Sequence, residues 1–199
     1  MDDASLTGVT GRYREPSGFL ESGLILRDVE LPEYRRDAEG QVLHSPTGFD
    51  WLVVVSQDCD LERDRDDRKK KREDVGFTKE SNLLRIVFVC PAFPDERVLS
   101  GNYVPGARRW SSRDLALLKR DGDARYHRLR PLEAKFGNLL LDFKLVTGAH
   151  PTYLDSWISA HPESAIATLE PPFRDRLIQR FVGYLGRIPE PTDEEETEE

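Results

Sequence analysis

Residues 51–60 constrain the fold more than any other stretch of this chain. Trp51, Leu52, Val53, Val54 and Val55 run without a polar interruption, and Ser56, Gln57, Asp58, Cys59 and Asp60 follow at once. An apolar run this short and this rich in β-branched residues reads as a buried strand rather than a helix. The change at Ser56 marks where the strand leaves the core, and strand ends often carry functional side chains.

The same criteria place strands at 23–29, 83–90, 125–129, 139–147 and 164–169. Pro32, Gly40, Pro46 and Gly48 mark a loop between the first strand and the one at 51–55. Pro91 and Pro94 stop the strand at 83–90, and Gly122 and Gly137 fall in the turns before the next two. Residues 1–17 read as a loose leader. Residues 61–80 are almost entirely charged, including a run of bases at 68–72 largely cancelled by acids, and are predicted to be a solvated loop. One helix is predicted, over 171–188. Phe173, Leu177, Phe181 and Leu185 recur there every four residues, with Pro171 and Pro172 in the first turn and Pro189 as the stop. The expectation is a mainly β (α+β) domain over 18–189, a barrel or rolled sheet with loop insertions, closed by a packed C-terminal helix.

Composition supports one domain. The chain has 199 residues, 38% hydrophobic and 33% charged, enough for a real core and too polar for a membrane span. The net charge of −8 is local: residues 190–199 hold seven acids and no base, so residues 1–189 carry −1. That tail is predicted to be disordered. Residues 107–135 lean the other way, with nine bases against four acids. An ordinary solvated face and a modest anion-binding surface both fit this excess. Cys59 and Cys90 lack C-x-x-C spacing, so neither a disulfide framework nor a zinc ribbon is indicated. A cytoplasmic location with reduced thiols is expected, with no cofactor.

Five short segments carry a family resemblance. Val53-Val54-Val55-Ser56-Gln57 resembles the strand that, in PemK/MazF-like proteins, runs through an apolar stretch into a Ser, and Ile86-Val87-Phe88-Val89-Cys90-Pro91 resembles their next strand. Ser56-Gln57-Asp58-Cys59-Asp60, Asp121-Gly122-Asp123-Ala124-Arg125-Tyr126-His127 and Gly186-Arg187-Ile188-Pro189 together resemble a larger, uncharacterised bacterial group of that type. The resemblance implies an SH3-like, PemK-like barrel. MazF-like ribonucleases use an Arg just before the first strand and a Thr or Ser just after the second. Here those places hold Thr47-Gly48-Phe49-Asp50 and Ala92-Phe93, so both catalytic positions are vacant.

The residues at 56–60 admit three chemistries. Cys59 is a nucleophile candidate flanked by Asp58 and Asp60, whose charges disfavour a thiolate; His44, His127 or His150 would have to offset them. Asp58 and Asp60, on an extended chain, would point to one side and start a Mg²⁺ or Mn²⁺ site. The structural alternative is a tight turn, with Ser56, Asp58 and Asp60 bonding backbone N–H groups and Cys59 packed. On a strand, Arg125 and His127 would share one face, a pair able to hold a phosphate and exchange a proton, with Tyr126 opposite; an edge strand with polar residues outward fits equally. Nucleotide-binding Gly-rich loops, the serine-hydrolase elbow and H-E-x-x-H are all absent from the sequence.

Two functions remain. One is a non-catalytic MazF-like interaction or regulatory module of a bacterial conflict or stress system, of toxin–antitoxin or phage-defence type. Its binding residues would be drawn from Ser56, Gln57, Asp58, Asp60, Arg108, Arg109 and Tyr126. Its partner would be a protein or a second copy, with weak RNA binding and no membrane. The other is a divergent endoribonuclease using Arg125 and His127 with Asp58 or Asp60, or Cys59.

Overall fold

Leu24, Ile25 and Leu26 are all fully buried, which a strand permits only when both of its faces are covered. The structure, a computed structural model, describes residues 10–36, 40–74, 76, 78, 80–119, 122–131 and 136–187. Among these residues nine strands follow in order: β1 (Thr10–Gly11), β2 (Tyr13–Arg14), β3 (Leu24–Arg36), β4 (Val42–Val54), β5 (Val87–Pro94), β6 (Tyr126–Pro131), β7 (Leu139–Asp142), β8 (Thr147–Ala149) and β9 (Ala165–Leu169). Five α-helices accompany them: α1 (Asp58–Glu73), α2 (Asp95–Leu99), α3 (Ser112–Lys119), α4 (Pro151–Ala160) and α5 (Phe173–Leu185).

The strands pair in the order β1-β6-β7-β5-β4-β3-β9-β2, with β8 added to β5. Every pairing is antiparallel except β1 with β6. β5 is the corner: Val87–Val89 pair with β8, Val89–Pro91 with β4, and Ala92–Pro94 with β7. β1 and β2 are separated by Arg12 alone, so one extended segment pairs with β6 at one end of the path and with β9 at the other. No ladder joins β1 to β2 among the described residues, and the sheet is not the closed barrel expected from the sequence.

Side chains alternate across this sheet. Ile25 and Val53 enter a core shared with Leu129, Leu141, Phe143, Leu177 and Phe181, beneath α5. Leu24, Leu26, Leu52 and Val54 face the opposite way and pack with Leu61 of α1 and Leu154 and Ile158 of α4. A smaller cluster of Val98, Tyr103, Tyr126 and Leu140 lies under the segment after α2.

Several expected boundaries change. Within the predicted leader, residues 10–11 and 13–14 are strands, because their backbone groups complete both ends of the sheet; residues 1–9 and the tail at 190–199 lie outside the described residues. The predicted loop between the first two strands is a hairpin, as β3 and β4 continue in register as far as Arg36 and Val42. Pro32 pairs with Pro46 there, and neither residue has an N–H to offer a neighbouring strand. The strand expected at 83–90 begins only at Val87 and runs on through Pro91 to Pro94. The one expected at 139–147 ends at Asp142, where the carboxylate takes the Lys144 N–H and turns the chain.

The charged loop predicted at 61–80 is a helix through Glu73. Its charges are ordered for helix formation: Asp58 and Asp60 sit in the first turn, and Lys70, Lys71 and Arg72 in the last. Arg68 bonds Asp64 one turn away at 2.6 Å. The helix at the C-terminus begins at Phe173 and ends at Leu185, and residue 188 lies outside the described residues. Leu177 and Phe181 carry its buried stripe, whereas Val182 and Leu185 are more than half exposed or close to it, at 50% and 59%.

Candidate functional site

Ser56 leaves the core where β4 ends, and its Oγ accepts the Phe88 N–H at 2.8 Å. Gln57 is exposed and precedes the helix. Asp58, the first helical residue, accepts the Ser22 N–H at Oδ1 (3.1 Å) and Arg174 Nη1 at Oδ2 (2.5 Å). It therefore fastens α1 to the entry of β3 and to α5. Asp58 and Asp60 are two residues apart on a helix, not on an extended chain, so their carboxylates diverge and do not converge on a cation. Cys59 is exposed, with Gln57 Oε1 at 3.7 Å and Asp60 Oδ1 at 4.0 Å. Of the histidines proposed to offset the acids, His150 bonds Thr152 and His127 is in the core, while the His44 side chain lies outside what the structure describes. Cys90 is buried among apolar side chains, and that burial pushes its thiol well up. Among the described residues no group of three or more His, Cys, Asp or Glu is arranged to hold a metal ion.

A second place gathers more of the expected residues. A cleft of about 510 Å³ opens between the segment following α2, the start of β6 and the turn after β7. Its floor is a buried polar network. Asp142, at 1% exposure, receives Arg125 through Nε (2.6 Å to Oδ1) and Nη2 (2.5 Å to Oδ2), and accepts Tyr103 Oη at 3.1 Å. Tyr103 Oη also lies 3.3 Å from Tyr126 Oη. Arg125 stacks over the Tyr126 ring, its guanidinium carbon 4.8 Å from the centroid. The Asp142 hydrogen bond holds the Arg125 guanidinium firmly charged, and burial pushes the Tyr126 phenol far up, with Tyr103 and Asp142 adding to the effect.

The rim is built from the loop before α3. Trp110 meets Tyr126 edge to face at 4.8 Å, and the Trp110 backbone N–H donates to the Leu99 carbonyl. Arg108 forms two bonds to Asp114 (2.7 and 2.8 Å), which with Ser111 hold the Asp114 carboxyl well below the usual range. Arg109 is exposed beside it. The loop sits tightly on Gly101: a Cβ there would come within 2.8 Å of the Arg108 and Arg109 backbone, and its φ of +79° suits glycine. Opposite, Lys144 is exposed and has no carboxylate within ion-pair distance among the described residues. Arg180 of α5 pins the Arg125 segment from behind, donating to the carbonyls of Asp123 (2.9 Å) and Tyr126 (2.7 Å).

The structure thus brings Arg108, Arg125 and Tyr126 to one cleft, leaves Arg109 near its rim, and places Ser56 to Asp60 at a different corner. His127 does not join Arg125. The Arg125 side chain turns to Asp142 just before β6 begins, while His127 points into the core, 4% exposed and stacked on Phe143 at 6.4 Å. Burial, with Arg180 and Arg176 adding like charge, lowers its pKa to about 3, so the ring is neutral and sealed from solvent.

Tyr103, Trp110, Asp142 and Lys144 were not singled out from the sequence. Asp142 had a signal, an acid ending the apolar run Leu139-Leu140-Leu141 just as Asp58 follows residues 51–55. Chemically the cleft offers aromatic surface, cationic donors and carboxylates, but no nucleophile paired with a base among the described residues. The chain matches no protein-family model, no curated protein and no solved structure.

Proposed function

We propose that this chain is a non-catalytic binding module of the PemK/MazF-like, SH3-like type, serving a bacterial conflict or stress system through a protein partner or a second copy. The observation that carries the non-catalytic reading is the fate of the nominated groups. His127 is sealed in the core, Arg125 is held on Asp142 away from it, and Cys59 has no base bonded to it among the described residues. A ribonuclease needs a cation and a proton-transfer group at one reacting phosphate. These residues lie in three separate surroundings. The SH3-like part rests on the bent, almost wholly antiparallel sheet whose ends are spanned by residues 10–14. The helices described are all too short or too polar to cross a membrane.

The test is incubation of the full chain with mixed-sequence single-stranded RNA, with and without divalent metal, beside His127→Ala and Cys59→Ser variants. The expected result is no cleavage above background. Cleavage by the parent that either variant abolishes would replace this reading with the ribonuclease.

A further inference from the structure

The cleft under Trp110 is selective in the charges it presents. Arg125 has Nε and Nη2 committed to Asp142, so the guanidinium is fixed in place with Nη1 unbonded among the described residues. Lys144 adds an ammonium with no ion-pair partner among them, its backbone tethered to Asp142 by a 3.1 Å bond. A fixed guanidinium and an ammonium lining the same cleft suit a compact anion.

The same cleft also presents acid, which disfavours a ligand that is only an anion. Asp114 and Asp123 both line the cleft. Asp123 takes the Arg125 N–H at Oδ1 (2.9 Å), and its Oδ2 accepts nothing from a described residue. Asp114 is already paired with Arg108, so Asp123 is the carboxylate left to repel an acidic peptide and to accept an N–H or O–H of a ligand that carries donors beside its anion. Trp110, half-buried, lines the cleft together with Arg108 and the exposed Pro105 and Gly106. An aromatic face of this kind takes a flat ring. The volume, about 510 Å³, falls within the range of small-molecule sites and is short of a groove for a polymer. The nearly neutral body likewise offers a long polyanion little general attraction.

We infer that this cleft binds a nucleoside monophosphate, with its base against Trp110, its phosphate on Lys144 and Arg125 Nη1, and an amino or hydroxyl donor on Asp123. This assignment rests on the non-catalytic reading above and supplies the ligand of that module. Gly101 is part of the site because any side chain there would displace the Arg108 to Trp110 rim.

The experiment is titration calorimetry of the full chain with AMP, ribose 5-phosphate and adenosine, repeated with Lys144→Gln and Trp110→Leu. AMP is expected to bind one per chain, at least tenfold tighter than either fragment. Each substitution is expected to weaken AMP at least tenfold in a protein that remains folded by circular dichroism. Tm should be unchanged for Lys144→Gln, whose side chain is exposed, and lowered by a few degrees for Trp110→Leu, which loses the Tyr126 contact. Absence of saturable AMP binding, equal binding of ribose 5-phosphate, or unchanged affinity in both variants would overturn the assignment. The nucleotide recovered afterwards separates this inference from the reading beneath it. Intact AMP is expected. Conversion of bound AMP would end the non-catalytic reading and leave the cleft assignment standing, whereas no binding by a protein that also leaves RNA uncut would end only the cleft assignment.

Discussion

Arg125 and Asp142 meet in a two-bond fork, Nε to Oδ1 at 2.6 Å and Nη2 to Oδ2 at 2.5 Å, with the carboxylate buried and the guanidinium at the cleft wall. The pair joins the start of β6 to the end of β7 and aligns Tyr103 and Tyr126 above the small apolar cluster. Arg125→Met leaves Asp142 charged and buried with only neutral donors, a loss of about 3–5 kcal/mol. Asp142→Leu added to it removes the stranded charge, and the double variant should recover at least half of that loss in urea unfolding. A double variant no more stable than Arg125→Met would show that the network, rather than the stranded charge, sets the cost.

His127 gives the protein an acid sensitivity of known sign. Its folded pKa is lowered from 6.5 to about 3, so between those values the unfolded chain binds a proton that the folded chain refuses. Stability is therefore intact above about pH 6.5 and falls as pH drops toward 3, by up to about 1.4 kcal/mol per pH unit from this group. The charged groups facing the ring, Arg176 and Arg180 of α5, are cations throughout and do not alter the sign. His127→Leu should flatten the profile below pH 6 and change stability at pH 7 by only about 1 kcal/mol, because Nδ1 has no partner to lose. Denaturant midpoints measured from pH 4 to 8 check both parts; parallel profiles for parent and variant would place the sensitivity elsewhere.

Phe181 fixes α5 to the sheet. It is 3% exposed, with ring contacts to Phe143 at 5.5 Å and Phe88 at 6.0 Å. Phe181→Ala should cost about 3–5 kcal/mol through lost burial and the cavity it leaves. Val182→Ala, on the open side of the same helix, should stay within about 0.5 kcal/mol. Calorimetric melting of the two variants side by side is the check, and comparable losses would mean that the open side is covered in solution.

The apolar segments were legible because burial on two faces leaves a nearly continuous hydrophobic run, as at residues 24–26 and 51–55. The C-terminal helix showed through its four-residue spacing. What stayed hidden had a different physical basis. The outer half of the β3–β4 hairpin reads as a loop because Pro32, Pro46 and Gly48 are turn formers, yet the register set by residues 25 and 53 carries the pairing through them. α4 buries only Pro151, Leu154 and Ile158 fully, and its Pro start and scattered aromatics gave no clear stripe. The cleft depends on Asp142, Arg125 and Tyr103, which are far apart in sequence and meet only once β5, β6 and β7 pair. Arg125 and Tyr126 were visible as chemistry; their separation from His127 was not, because the turn of Arg125 toward Asp142 is a tertiary event.

α1 offers the sharpest contrast between composition and structure, and the last prediction concerns it. A helix of this polarity, burying only Leu61, Asp64 and Asp67, has too little apolar surface to be held by hydrophobic contact alone. Asp64 supplies the anchor: at 4% exposure it accepts the Leu84 N–H at 2.6 Å and Arg68 Nε at 2.6 Å, while Arg68 Nη2 returns a bond to the Leu84 carbonyl. The helix is thus stapled to the chain that enters β5 by two hydrogen bonds at Leu84, made by an Asp64–Arg68 pair within the helix. In the parent protein, limited trypsin should spare the bases between Arg63 and Arg72 despite their number, because a docked helix resists the extended conformation that a protease requires. Asp64→Ala strands Arg68 and the Leu84 N–H together, and should cost about 3 kcal/mol or more. In that variant the first cuts should move into 63–72, with β3 to β5 still folded by circular dichroism. Early cutting there in the parent would show that the Asp64 staple does not hold α1 in solution.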